Sequence, residues 1–137
     1  MSRINKLQPV FVDFIPEILE EGFIYISKRY FTAAHLCCCG CGLEVITPLN
    51  PAKWQLTEKN GVVSLYPSIG NWSFPCQSHY WIRNNGIDWA GAMSPEMIKA
   101  VKLRDQKDLE ALVPKTLWQR CSHWLSKALD RFIKPLR

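Results

Sequence analysis

Residues 35–42 read HLCCCGCG, and this cysteine-rich stretch decides how the 137-residue chain is interpreted. A second group follows at residues 75–79, which read PCQSH. Together the two groups hold the thiol and imidazole side chains that zinc prefers as tetrahedral ligands. The sequence therefore predicts a metal centre, built from two loops, around which a small domain folds.

Disulfide bonds are the competing use of cysteine. Adjacent cysteines cannot readily pair with each other, because a disulfide requires particular Cα separations and side-chain directions. The first residues, MSRINK, are polar and do not resemble a secretory signal, so a cytoplasmic, reducing location is expected. Thiols in such a compartment more often bind metals than form crosslinks.

More side chains can bind the predicted zinc ion than a tetrahedral site accepts. The first group alternates three cysteines along a turn that two glycines permit, and the second adds a cysteine and a histidine three residues apart. His35 and Cys38 bring the candidates to seven, which leaves open whether one ion binds or two. The favoured ligands are Cys37, Cys39, Cys41, Cys76 and His79.

The predicted site has two interpretations from different functional classes. A closed zinc site with four protein ligands would join two loops and stabilise the fold without chemistry. A catalytic zinc ion would keep one position open for water and would need an acid or base nearby. Three residues near the ligands could serve in catalysis: His35, Glu44 and Ser78.

Short runs of β-branched and aromatic residues dominate the first two thirds of the chain. Residues 30–36 are predicted as a short helical turn that leads into the cysteines. Alternating polarity on both sides of Asn60-Gly61 and of residues 84–86 predicts two β-hairpins. Further strands are predicted at residues 10–15, 23–27 and 43–47.

The character of the chain changes at Ser94-Pro95-Glu96, which has the N-cap, first-position proline and first-turn acid of a helix start. The predicted helix extends to about Leu112, and apolar residues recur at helical spacing beyond Pro114. The predicted fold class is α+β. A β-rich zinc-binding domain with two hairpins occupies residues 1–93, and a basic amphipathic helical segment at residues 94–137 packs on it.

The net charge of +5 comes from the C-terminal part of the chain, which is rich in lysine and arginine. A basic helix can contact an anionic partner, but its apolar stripe more often packs on the domain or on a second subunit. Most of the six tryptophans lie in or beside predicted strands, apart from the basic residues, so nucleic-acid binding is not expected. No apolar stretch reaches the roughly 20 residues of a transmembrane helix.

Residues 35–42, 47–49, 67–72 and 76–82 resemble a small bacterial family known mainly as a domain of unknown function. Members of that family occur beside bacterial ubiquitin-like conjugation genes, a setting linked to antiphage defence. The resemblance covers about residues 10–90. It implies a zinc-dependent peptidase, distantly like the JAB/JAMM metalloproteases, that acts on a ubiquitin-like protein or its conjugates and removes the modifier.

The resemblance also implies roles for individual residues. Zinc would activate a bound water, His35 or Glu44 would move the proton, and Ser78 would steady the oxyanion. The His-x-His element of the JAMM signature is missing, and Cys38 stands where a small residue or proline is expected. Because thiolate ligands weaken zinc as a Lewis acid, the alternative is a non-catalytic zinc module that mediates protein interaction in the same pathway.

Overall fold

The computed structural model describes residues 2–112. Eight strands and one helix form there, and the first four strands make one sheet in sequential order while the last four make a second. The elements are β1 (Gln8–Phe11), β2 (Phe23–Ser27), β3 (Thr32–Leu36), β4 (Glu44–Pro48), β5 (Gln55–Lys59), β6 (Val62–Gly70), β7 (His79–Arg83), β8 (Gly86–Trp89) and α1 (Pro95–Leu112).

The first sheet contains a strand where a helical turn is predicted. β1 is parallel to β2, whereas β3 is antiparallel to both β2 and β4. His35 is aligned with Ile24 on one side and with Val45 on the other. Two neighbouring strands satisfy the backbone groups of β3, and this tertiary pairing outweighs the weak local preference of its alanines for helix. The predicted turn at residues 30–36 is therefore wrong.

The second sheet contains both predicted hairpins. Asn60 and Gly61 have φ angles of 52° and 75° between β5 and β6, and Asn84 and Asn85 have φ angles of 49° and 65° between β7 and β8. These are the left-handed conformations that tight hairpin turns require. The prediction of a β-rich domain is confirmed, but two hairpins describe only half of its β structure, because the first sheet adds four more strands.

One hydrophobic core joins the two sheets. Ile24 and Ile26 enter it from the first sheet, while Leu65, Tyr80 and Ile82 enter it from the second. Side chains alternate between the two faces of a strand, so the neighbours of these buried residues on β6 and β7 lie on the opposite, outer face of the second sheet. That outer face carries part of the candidate site.

The chain divides into two compact units between Ser94 and Pro95. α1 begins at Pro95, as the proline and the preceding serine predict. Within residues 2–112 we find no helix with the length and apolarity needed to cross a membrane. The helical spacing beyond Pro114 and most of the basic residues of the C-terminal part fall outside the described residues.

Candidate functional site

The first cysteine group forms a tight turn between β3 and β4. The Cys37 amide donates a hydrogen bond to the Leu43 carbonyl at 2.8 Å, and the Gly40 amide donates to the Cys37 carbonyl at 3.1 Å. Gly40 and Gly42 have φ angles of 87° and 78°, which residues with a side chain rarely adopt. The turn buries Cys38 in the core and leaves the alternate cysteines free to meet the second group.

Four thiols from the two groups converge, and all of their sulfur atoms lie within 4.8 Å of one another. The sulfur of Cys37 is 3.5 Å from that of Cys39 and 3.9 Å from that of Cys76, which is itself 3.9 Å from the sulfur of Cys41. A zinc ion with Zn–S bonds of about 2.3 Å holds tetrahedral sulfurs about 3.8 Å apart. The cluster therefore has the dimensions of a four-cysteine zinc site.

The thiols of the cluster differ in how readily they ionise. Burial raises the pKa of Cys37 and of Cys39. Burial also opposes ionisation of Cys76, but hydrogen bonds from the Ser78 side chain and backbone prevail and lower its pKa to about 7. Four thiolates would repel one another at these distances, and a divalent ion would supply the positive charge that stabilises all of them.

Ser78 lies beside the cluster rather than in open solvent. Its Oγ is 3.0 Å from the sulfur of Cys37 and accepts a hydrogen bond of 2.8 Å from the Asn71 amide nitrogen. The Asn71 backbone amide donates to the Ser78 carbonyl at 2.9 Å. Ser78 is 7% exposed, so these contacts make it a support for a ligand and for the loop that carries Cys76.

The other predicted catalytic residues lie in two different environments. His35 is fully buried, and its Nε2 is 2.8 Å from the Tyr80 hydroxyl across the core. Burial lowers the pKa of His35 to about 4, so the ring is neutral near pH 7. Glu44 is exposed on β4, and its carboxylate has no hydrogen bond or ion pair within residues 2–112.

His79 is not a member of the four-thiol cluster but pairs with a serine. Its Nε2 lies 2.9 Å from the hydroxyl oxygen of Ser68 on the outer face of the second sheet. Burial lowers the pKa of His79, although the Gly91 backbone opposes this shift. The imidazole is therefore neutral near pH 7 and can accept a proton from Ser68, the arrangement of a nucleophile with its general base.

An irregular stretch of β6 positions Ser68. Leu65 is aligned with Ile82 and Ile69 with Tyr80, so β6 advances four residues while β7 advances two. Bulges of this kind bend a strand and redirect its side chains, and they are common beside functional sites. Beyond the irregularity the ladder resumes, and the residue after Ile69 is aligned with the histidine of the pair.

A tryptophan packs against the histidine of the pair. The rings of Trp72 and His79 meet edge to face, with centroids 4.9 Å apart. A Cβ atom on Gly70 would lie 2.4 Å from the indole of Trp72, a distance that real Cβ contacts do not show. Gly70 is therefore required for Trp72 to reach its place beside His79.

The sequence does not predict a role for Ser68, and it predicts His79 as a zinc ligand. One feature of the sequence could have indicated Ser68. It lies with Gly70 and Trp72 in the string PSIGNW at residues 67–72, which is part of the family resemblance. No local pattern pairs Ser68 with His79. Only the register of β6 and β7 brings the two side chains together.

Residues 11–90 match the family described as bacterial ubiquitination-like system serine protease (BubE). The match covers more than half of the chain and contains both the four-thiol cluster and the Ser68–His79 pair. It confirms the predicted link with bacterial ubiquitin-like conjugation. No curated protein and no solved structure gives a significant match.

Proposed function

Because the chain belongs to the BubE family of bacterial ubiquitination-like system serine proteases, we propose that Ser68 is its nucleophile and His79 its general base. The observation that carries this proposal is the 2.9 Å separation between Ser68 Oγ and His79 Nε2, both on half-buried side chains. The substrates we propose are conjugates of a ubiquitin-like protein, from which the enzyme releases the modifier.

The bond changes and proton transfers of the reaction involve the two side chains and water. Ser68 Oγ attacks the carbonyl carbon of the scissile amide while its proton passes to His79 Nε2. His79 then gives this proton to the leaving nitrogen as the C–N bond breaks, and an acyl ester remains on Ser68. A water molecule next loses a proton to His79 and attacks the ester, and return of that proton restores the Ser68 hydroxyl.

The surroundings of His79 support its role as base. With the proton of the neutral ring on Nδ1, Nε2 is free to accept a hydrogen bond from the Ser68 hydroxyl. The Trp72 ring packs against the ring of His79 and limits its rotation from one side. The Nδ1 of His79 is buried and has no hydrogen-bond partner among residues 2–112, so the ring lacks the third group that orients the base in a complete triad.

We propose a structural role for the metal. Four thiolates, from Cys37, Cys39, Cys41 and Cys76, fill a tetrahedral ion and leave no position for a catalytic water. Zinc suits this donor set, and it would tie the turn at residues 37–42 to the loop that leads into β7. The ion would thereby fix the start of the strand that carries His79.

Covalent labelling tests the nucleophile directly. A simple alkyl fluorophosphonate, which reacts with activated serines, is expected to modify Ser68, with the site identified by peptide mass spectrometry. Ser68→Ala and His79→Gln are expected to abolish labelling, whereas Ser73→Ala, a change at an exposed serine of the neighbouring loop, is expected to retain it. Modification of Ser78 instead, or no modified serine, would contradict the proposal.

A zinc-dependent peptidase is the second candidate, and the contact between Ser78 and a cysteine of the cluster favours it. In that mechanism the cysteines of the cluster would hold zinc, and the ion would activate water and polarise the carbonyl, while His35 or Glu44 would move the proton and Ser78 would steady the oxyanion. One cysteine would have to leave the metal to make room for water. Cleavage of a ubiquitin-like conjugate by Ser68→Ala at the wild-type rate would favour this candidate over the serine mechanism.

A further inference from the structure

We propose that a cleft between Tyr66 and Trp81 is the subsite that receives a large apolar side chain of the substrate, on the acyl side of the scissile bond. This inference rests on the proposed function of Ser68 and His79. The cleft has a volume of about 260 Å³ and opens on the second sheet. Its lining consists of Thr57, Ser64, Leu65, Tyr66, Trp81 and Arg83.

The cleft and the serine–histidine pair share the outer face of the second sheet. Trp81 follows His79 by two residues on β7, and the ring of Tyr66 on β6 lies beside that of Trp81. Residues two apart on a strand point to the same face. The buried Tyr80, between His79 and Trp81, points into the core and marks the opposite face. A substrate that reaches Ser68 therefore passes next to the cleft.

The walls of the cleft have the composition of a recognition surface. The rings of Tyr66 and Trp81 have centroids 6.1 Å apart, and the Arg83 guanidinium lies 4.7 Å from the centroid of the Trp81 ring. Tyr66 is 66% exposed, so its ring is open to contact with a substrate side chain. Tyrosine, tryptophan and arginine are the residues that contribute most binding energy at protein interfaces.

Size and spacing indicate what the cleft accepts. Drug-sized ligands occupy pockets of about 300–1,000 Å³, so the smaller cleft suits a single side chain. An extended peptide advances about 3.3 Å per residue. Two steps along β7, from His79 to Trp81, therefore correspond to about two residues of an extended substrate. With its carbonyl at Ser68, the substrate places one of the two nearest side chains over the aromatic rings.

The acyl side of the scissile bond is the side that needs a fixed subsite. In ubiquitin-like conjugation the modifier supplies the carbonyl group, and varied target proteins supply the amine. A protease that releases one modifier from many targets can obtain its specificity from contacts with the modifier alone. The cleft is then expected to bind the C-terminal segment of the modifier and to ignore the target.

Peptidyl diphenyl phosphonates test the subsite, because they place chosen side chains on the acyl side and react with the nucleophilic serine. The series carries leucine, phenylalanine, alanine or aspartate at each of the two residues nearest phosphorus. Wild-type protein is expected to react with the best leucine or phenylalanine member about tenfold faster than with its alanine counterpart. Each rate is divided by the rate with a simple alkyl fluorophosphonate, which reports the reactivity of Ser68 without the subsite.

Variants locate the preference within the fold. Trp81→Ala and Tyr66→Ala are expected to bring the ratio of the leucine rate to the alanine rate close to one. Trp81→Phe is expected to retain most of the wild-type preference for leucine. Tyr30→Ala removes a ring that is also exposed but lies next to the first sheet, and it is expected to leave the ratio unchanged.

The outcomes separate the two proposals. Equal rates across the series in wild-type protein would overturn the subsite. So would a preference that survives both Trp81→Ala and Tyr66→Ala. A failure of the simple fluorophosphonate to label Ser68 in wild-type protein would instead contradict the proposed serine protease, and the subsite with it.

Discussion

The four-thiol cluster and the Ser68–His79 pair differ in how the sequence encodes them. Three of the four thiols come from one turn of six residues, so their proximity is local and visible in the sequence. Ser68 and His79 lie on two strands, and the pairing of β6 with β7, which is irregular between Leu65 and Ile69, brings them together. Residue chemistry reveals the first region, whereas strand register creates the second.

The two regions are nevertheless connected through one short segment. Cys76 belongs to the cluster, and His79 follows it by three residues. Between them Ser78 contacts the sulfur of Cys37 at 3.0 Å and the amide nitrogen of Asn71 at 2.8 Å. Loss of the cluster should therefore disturb the pair, whereas loss of the pair should leave the cluster intact.

Cys76→Ser should have the largest effect, because it removes the ligand that joins the second loop to the first. We expect loss of zinc and a decrease in the free energy of unfolding of more than about 4 kcal/mol, as is typical when a structural metal site is broken. Denaturant unfolding and elemental analysis measure the two quantities.

Cys38→Ala is the matched control for that change, since Cys38 lies in the core and outside the cluster. It should keep one zinc ion per chain and lose only the stability that a small buried side chain contributes. Equal zinc content in Cys76→Ser and wild-type protein would show that the cluster is not the metal site.

Ser68→Ala should have the next largest effect, confined to catalysis. Removing a serine nucleophile that acts with a histidine costs about a thousandfold or more in kcat. The change deletes one hydroxyl from a half-buried position, so zinc content and unfolding free energy should stay close to wild type. Cleavage of a ubiquitin-like conjugate, followed with equal amounts of both proteins, gives the rate ratio. A decrease below tenfold would exclude Ser68 as the nucleophile.

The contrast between the regions explains what the sequence can predict. Clustered cysteines identify four thiols of the cluster, and the asparagines and glycines of the turns identify both hairpins. The sequence misses β3, because Thr32–Leu36 becomes a strand only through partners on both sides. It predicts His79 as a zinc ligand, whereas the structure brings four thiols together without it and sets its Nε2 2.9 Å from the Ser68 hydroxyl. The spacing of residues in the sequence does not indicate on which face of the sheet the side chain of His79 lies. In the structure it lies on the face opposite to the core.

Gly70→Ala should weaken the pair without breaking it. The added methyl group would overlap the Trp72 indole, which must move and release the ring of His79 that it contacts. Displacement of a catalytic group by about 1 Å can cost about a hundredfold in rate, so we expect a decrease in kcat/KM of ten- to a hundredfold. Zinc content should not change.

A second substitution tests this cause. In the double variant Gly70→Ala with Trp72→Ala, the indole that the methyl group displaces is absent. Its kcat/KM should therefore equal that of Trp72→Ala alone. An additional loss in the double variant would show that the glycine acts through the backbone and not through Trp72.

The smallest effect concerns pH. Burial lowers the pKa of His79 from its ordinary value of 6.5, and only the neutral ring can accept the Ser68 proton. Activity should therefore be constant from pH 8 down to pH 7 and fall as pH decreases through a midpoint below 6.5. Because Trp72 covers one side of the ring, Trp72→Ala should expose it and move the midpoint upward toward 6.5. The pH dependence of kcat/KM measures both midpoints. A wild-type midpoint above 6.5 would require a negative group beside the base and would exclude the buried, neutral His79 described above.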